Sequence, residues 1–376
     1  MKPKKSVFAI LIISVIVFLV IPNCGQKQIH TIRIGLLSIF SGDGATYGNA
    51  ARTGVDLAVE EINAKGGVNG KKIEIIYEDS KGNPKDALSG FQKLATVDKV
   101  PVVIGPFYSG EVMSCAPEAD RSKVVLISGS ATSDNIITAG DYVFRVCPTN
   151  EIQARTIAKF IINELNKKTA FTLFRNVDYG VTLRDKFREV FTDLGGSILG
   201  EEGIEADASD VRVQLNKVKA KNPEVIYAAV HYTEGGAILR QAKEMNINSI
   251  VIGTDGGYNQ NLFTIAGDAA NGSYWATIGW GEKETVSLKE KFINNYKEKY
   301  GIEPDSYSGL YYDAVMVVAE AMKNSDVLNG ATLKNELYKI KDFKGPTGIT
   351  SFDEYGEVNK PFTIYIVKNQ KFVEYK

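Results

Sequence analysis

From residue 31 onward, short β-branched runs alternate with amphipathic stretches of helical period. Residues 32–39 read as a strand, 46–64 as a long helix and 73–78 as a second strand, which together make a βαβ unit. Gly66, Gly67, Asn69 and Gly70 tolerate positive φ and stop that helix; Asn83 and Pro84 supply an N-cap and a first helical residue for the next. The continuous apolar runs 101–105 and 124–127 predict buried parallel strands, each opening into small polar residues at the carboxyl edge of the sheet. After Pro148 the alternation restarts. Helices are predicted over 151–165, 179–194, 209–221 and 234–245, and strands over 170–174, 197–200, 225–230 and 250–253. Beyond Trp280 the pattern is mostly helical, over 285–300, 306–323 and near 333–340, until a strand at 363–367.

This rhythm gives an α/β fold of two doubly wound, Rossmann-like lobes. At 376 residues the chain is too long for one ordinary α/β core. No low-complexity linker parts the halves, so crossover strands are expected to act as a multi-strand hinge. The expected division is residues 30–149 plus 280–348 for the first lobe and 150–279 plus 349–376 for the second.

The start of the chain follows a different logic. Three lysines within residues 2–5 precede an apolar run over 6–21, the layout of a secretory signal peptide that would occupy residues 1–23. An uncleaved membrane anchor is the rival, but the run falls short of the ~20 apolar residues that span hydrocarbon comfortably. Ile21-Pro22-Asn23-Cys24-Gly25 resembles a bacterial lipobox, in which Cys24 would become the lipidated first residue. Pro22 and Asn23 depart from the small residues usual there, and the alternative is a cysteine near an ordinary cleavage site. A lipid on Cys24 would tether the protein to the membrane at the periplasm or cell surface rather than have it span.

Composition narrows the chemistry. With 44 Lys and Arg against 45 Asp and Glu, formal net charge is −1 and no basic run is available for nucleic acid. Two histidines, His30 and His231, and three cysteines cannot build a Cys/His zinc site of usual spacing, so neither metal nor cofactor is expected. Export allows Cys115 and Cys147 to pair, but sequence leaves that open.

Two enzyme readings fare poorly. Gly42-Asp43-Gly44 with Gly48 forms a loose G-x-G-x-x-x-G between strand and helix, and Asp79 comes later than the ribose-binding acid of a dinucleotide fold, roughly 20 residues on. No G-x-S-x-G elbow marks a hydrolase.

An ordered series of motifs resembles the leucine-isoleucine-valine type periplasmic binding proteins of branched-chain amino-acid ABC importers. It runs from Ile34-Gly35, Ser41-Gly42 and Tyr47-Gly48 through Ile62-Asn63-Ala64-Lys65-Gly66-Gly67 and Asn69-Gly70 to Asn83-Pro84 and Val103-Ile104-Gly105-Pro106. Asp178-Tyr179-Gly180, Ile238-Leu239-Arg240-Gln241-Ala242 and Gly345-Pro346-Thr347-Gly348 follow in the same order. The resemblance covers most of the mature chain. It implies a type I periplasmic binding fold with three crossovers, no catalysis, and a monomer that delivers an amino acid to an ABC permease. The same fold also serves as the sensing module of membrane receptors, which sequence does not separate from transport.

The resemblance also implies a site. An amino-acid zwitterion needs donors for its carboxylate and a charged acceptor for its ammonium. Ser109, at a helix N-terminus after the strand 102–105, would serve the carboxylate; Ser130 and Thr132, in a turn of small residues after 124–127, would bind carboxylate and ammonium. Asp255 stands where the family sets an acid against the ammonium. Tyr47 and Tyr179 match aromatic positions of the cleft, and His231 stands where relatives often carry tyrosine, a departure that bears on the ligand side chain and could make binding pH-dependent.

Overall fold

The computed structural model describes residues 31–280, 283–325 and 327–376. The expected signal peptide and Cys24 lie outside the described residues.

The first unit runs β1 (Ile32–Ser38), α1 (Ala45–Ala64), β2 (Ile73–Asp79), α2 (Pro84–Gln92), β3 (Val102–Ile104), α3 (Ser109–Ser122), β4 (Val125–Ser128) and β5 (Val143–Arg145). Local chemistry sets these boundaries. Pro84 occupies the first turn of α2 and the Asn83 side chain accepts from the Asp86 N–H at 3.0 Å, as the sequence predicts. The five strands are parallel in the order β2-β1-β3-β4-β5.

The second unit repeats the plan with α4 (Asn150–Lys159), β6 (Thr169–Arg175), α5 (Asp178–Asp193), β7 (Ser197–Ile204), α6 (Arg212–Lys221), β8 (Val225–Ala229), α7 (Tyr232–Glu244), β9 (Ile250–Gly253), α8 (Asn261–Ala266) and β10 (Tyr274–Ile278). Its parallel strands run β7-β6-β8-β9-β10, the same winding as the first sheet. The chain then returns to the first sheet with α9 (Val286–Tyr300), α10 (Ser306–Lys323), α11 (Gly330–Tyr338) and the hairpin β11 (Phe343–Gly345) and β12 (Gly348–Thr350). It finishes with β13 (Phe362–Lys368), antiparallel beside β10, and β14 (Lys371–Glu374), antiparallel beside β13 at the sheet edge.

Most spans agree with the periodicity, and Ser306–Lys323 is the predicted helix to the residue. Three differences stand out. The helix expected over 151–165 ends its α segment at Lys159 and continues as one π turn, Phe160–Glu164. The strand expected over 197–200 extends to Ile204, its middle only half-buried at the sheet edge. Strand β10 was not expected, although Trp275, Ala276, Thr277 and Ile278 are buried as residues of an interior parallel strand are.

The last crossover is fastened to the first sheet. Phe352 packs on Phe144 with ring centroids 5.2 Å apart, and Arg145 N–H donates to the Gly356 carbonyl at 3.1 Å. Buried Lys360 donates to Thr347 Oγ1 at 2.9 Å, and the chain joins the larger sheet at Phe362. Cys115 and Cys147 are separate buried thiols, each pushed up to about 12 by burial. Among the described residues no helix is long and apolar enough to cross a membrane, and no group of three or more His, Cys, Asp or Glu side chains could hold a metal ion.

Candidate ligand-binding site

In a doubly wound sheet the connections leave a crevice at the carboxyl edge where strand order reverses. Here the reversals fall between β1 and β3 in one sheet and between β6 and β8 in the other. A cavity of about 200 Å³ lies against both. Tyr47, Ser109 and Ser130 line it from the first lobe, and Tyr179, His231 and Asp255 from the second. Thr132 is fully buried and is not part of that wall; its hydroxyl has no hydrogen-bond partner among the described residues.

Asp255 is almost fully enclosed, at 1 % exposure. Its Oδ1 accepts from Tyr179 Oη at 2.7 Å and Gln153 Nε2 at 2.9 Å, and its Oδ2 accepts from Tyr307 Oη at 3.2 Å. An ionised carboxylate has about four acceptor positions, so three donors leave room for one more. Burial pushes its pKa above the ordinary range, against the pull of these hydrogen bonds. The loop is pressed onto Trp275: a Cβ at Gly253 or Gly257 would sit 2.0 or 1.8 Å from its ring, so only glycine fits on either side of Asp255.

Opposite, Ser109 is the first residue of α3, whose N-terminus favours an anion. Its Oγ accepts from the Ser133 N–H at 3.2 Å and so ties the helix start to the turn 128–133. Within that turn Ser128 Oγ accepts from Ser130 and Ala131 N–H groups, and the Ser130 hydroxyl donates to the Phe107 carbonyl at 2.8 Å. Ser130 therefore faces the cavity with a hydroxyl already engaged in holding its own loop. Arg145 clamps the same turn: Nη1 donates to the Ala131 and Ser133 carbonyls at 3.0 and 2.7 Å, either side of Thr132, while Nε pairs with Glu357.

Aromatic rings from the two lobes meet over the cavity. Tyr47 Oη donates to the Gly256 carbonyl, and Tyr232 Oη to the Asp43 carbonyl at 2.7 Å. Tyr108 stacks on His231 with centroids 5.0 Å apart. Burial, with nearby Arg175, holds the His231 pKa well below its ordinary value, so the ring is neutral at physiological pH. The pH dependence considered for His231 therefore falls outside the neutral range.

Sequence reasoning missed Tyr108, Glu111, Arg175, Asp207 and Tyr307 in the wall, and Gln153 behind Asp255. Only Glu111 carried a local signal, as the acid three residues into α3 that accepts from the Tyr108 N–H at 2.9 Å. Burial pushes Glu111 up to about 7 from 4.5. The folded state thus keeps a proton that the unfolded chain releases, so the stability linked to Glu111 is complete below pH 4.5 and is lost as pH rises through 7. Glu111→Gln keeps the cap without the titration. Its ligand-free stability relative to wild type is expected to rise by on the order of 3 kcal/mol between pH 4 and pH 8 in urea melts; a pH-independent difference would refute this.

Asp79, the acid of the dinucleotide reading, is occupied locally: it accepts from Phe40 N–H, the Ser41 hydroxyl and Lys81 N–H at 2.9, 2.6 and 2.9 Å.

Comparison with known proteins agrees with this architecture. The chain is 29 % identical over 341 residues to the leucine-, isoleucine-, valine-, threonine- and alanine-binding protein of Pseudomonas aeruginosa, covering 89 % of each. Among solved structures it is similar to the branched-chain amino-acid transporter substrate-binding protein LivJ of Streptococcus pneumoniae in complex with isoleucine. Identity there is 33 % and the TM-score 0.85, over 92 % of this chain and 99 % of the other. The leucine-binding protein LivK of Thermotoga maritima is 27 % identical with a TM-score of 0.86, over 92 % and 98 %. A family model described as periplasmic binding protein matches residues 31–371, and with two like-wound lobes closing on one cavity, the chain belongs to the periplasmic binding protein family.

Proposed function

We propose that this protein is an extracytoplasmic solute-binding protein that captures an amino acid, branched-chain or another neutral one, between its lobes and delivers it to an ABC importer. The observation that carries the reading is the pairing, across one cavity, of the buried Asp255 carboxylate with the N-terminus of α3 at Ser109. One end complements an ammonium and the other a carboxylate, and the two come from different lobes. We assign ligand contacts to Ser109, Ser130, Tyr47, Tyr179, His231 and Asp255; Thr132, expected among them, lies behind the wall and is left out. The relatives named for leucine, isoleucine and valine support the class of ligand. The role is binding without catalysis, by a monomer.

The lobe division of this reading is residues 30–149 plus 280 to about 360, and 150–279 with the C-terminal strands. The last boundary moves from 348 because Phe352, Gly356 and Glu357 pack on β5.

A ligand that bridges both lobes favours the closed state through contacts that exist only there. Protein unfolded and refolded to strip carried-over ligand should gain about 2.7 kcal/mol of stability at 100 times the dissociation constant of a cognate amino acid. A thermal-shift panel of amino acids and nicotinamide dinucleotides, with X-ray scattering to follow compaction, checks this. Stabilisation by dinucleotides alone would sink the reading.

The reading includes a lipid anchor on Cys24. Cys24→Ser should move the protein from the membrane to the soluble fraction, and a native mature N-terminus other than a modified Cys24 would defeat it.

A further inference from the structure

The cavity is longer than a branched aliphatic side chain. Along the carboxyl edge of the seven-stranded sheet, the order β9-β8-β6-β7 sets Asp255, His231, Arg175 and Asp207 in a row, one strand apart, and all four line the cavity. At ~4.8 Å per strand, the strand ending in Arg175 lies ~10 Å from that of Asp255, and the strand leading to Asp207 ~14 Å. A leucine side chain reaches only ~4 Å beyond its Cα, three bonds of ~1.5 Å. With its ammonium on Asp255, leucine would end near His231 and leave the Arg175 and Asp207 half of the cavity uncontacted.

That far half sets charged groups beside Val177 and Ala206. Arg175 is 5 % exposed; its Nη1 donates to Asp207 Oδ1 at 3.0 Å and pairs with buried Glu234. Glu111 enters the same cavity from the opposite lobe, on α3. From this juxtaposition we infer that the cavity selects an amino acid whose side chain outreaches leucine and ends in an uncharged amide or ureido group. The inference rests on the amino-acid reading above and narrows it. Such a group accepts from the guanidinium through its oxygen and donates to a carboxylate through its nitrogen. A carboxylate tail would meet Asp207 beside Arg175, and an ammonium tail would meet Arg175 beside Asp207, so a charged tail of either sign has a like charge next to its opposite one. An aliphatic tail would strip water from the positions that the Arg175–Asp207 pair leaves open without replacing its hydrogen bonds, at about a factor of ten in affinity for each bond lost.

The test is calorimetry on refolded, ligand-stripped protein with leucine, isoleucine, glutamine, citrulline, glutamate and lysine. Glutamine or citrulline should bind at least about tenfold more tightly than leucine. That margin should shrink to less than about threefold in Arg175→Met and in Asp207→Asn. The second variant guards against misfolding of the first, since Asp207 is partly exposed. Leucine or isoleucine binding most tightly overturns this inference and leaves amino-acid capture standing. An amide preference unchanged in both variants overturns the assignment to Arg175 and Asp207. Folded protein that binds none of the six overturns both readings.

Discussion

Asp255→Asn should weaken amino-acid binding by about 2–5 kcal/mol, the range for truncating one partner of a buried charge pair, with the fold retained. The carboxylate is fixed by Tyr179, Gln153 and Tyr307, so its loss does not leave a mobile loop that could bring in another acid. An asparagine nitrogen would face groups that are themselves donors, and its oxygen alone cannot match the ammonium charge. Burial already pushes the Asp255 pKa upward, which sets the sign of the pH response. A protonated Asp255 cannot balance the ammonium, so affinity should fall as pH drops through this raised pKa, with proton release on binding in that range. Calorimetry in buffers of different ionisation enthalpy reads both effects. Unchanged affinity in a folded variant would remove Asp255 from the site.

Much of this was legible along the chain because parallel strands and their helices announce themselves locally. Apolar runs mark buried strands, Asn83-Pro84 marks a helix start, and small residues after a strand mark a carboxyl-edge loop. The residues expected after those strands, Ser109, Ser130, His231 and Asp255, do reach one cavity for that reason. The supporting residues were illegible because they arrive from remote elements. Gln153 meets Asp255 across 102 positions, Tyr307 across 52, and Glu357 meets Arg145 across 212. No local pattern encodes which of several helices will lie beneath a loop. Ser130 shows the complementary limit: its position in the turn was readable, but the engagement of its hydroxyl by Phe107 depended on how two loops pack.

The Arg145 clamp is where that long-range packing should matter most. Arg145→Met is expected to destabilise the protein by about 3–5 kcal/mol, the usual result of removing one partner of a buried ion pair. The cost has two sources. The Ala131 and Ser133 carbonyls lose a donor, and Glu357, which is buried with its pKa already raised by desolvation, loses the cation that offsets that burial. The second source titrates. Left alone, Glu357 should hold its proton to still higher pH, so the folded state gains protons relative to the unfolded chain. The part of the penalty due to charge should then vanish below the ordinary carboxyl range and grow as pH rises through the folded pKa. Arg145→Met with Glu357→Gln should recover that part at neutral pH while leaving the turn around Thr132 unclamped, so stability returns further than ligand affinity does. Urea melts at pH 4 and pH 8, with calorimetry on the single and double variants, separate the two sources. A loss below about 1 kcal/mol, or a double variant no more stable than the single one at pH 8, would mean that Glu357 and Arg145 do not depend on each other and that the last crossover does not brace the turn.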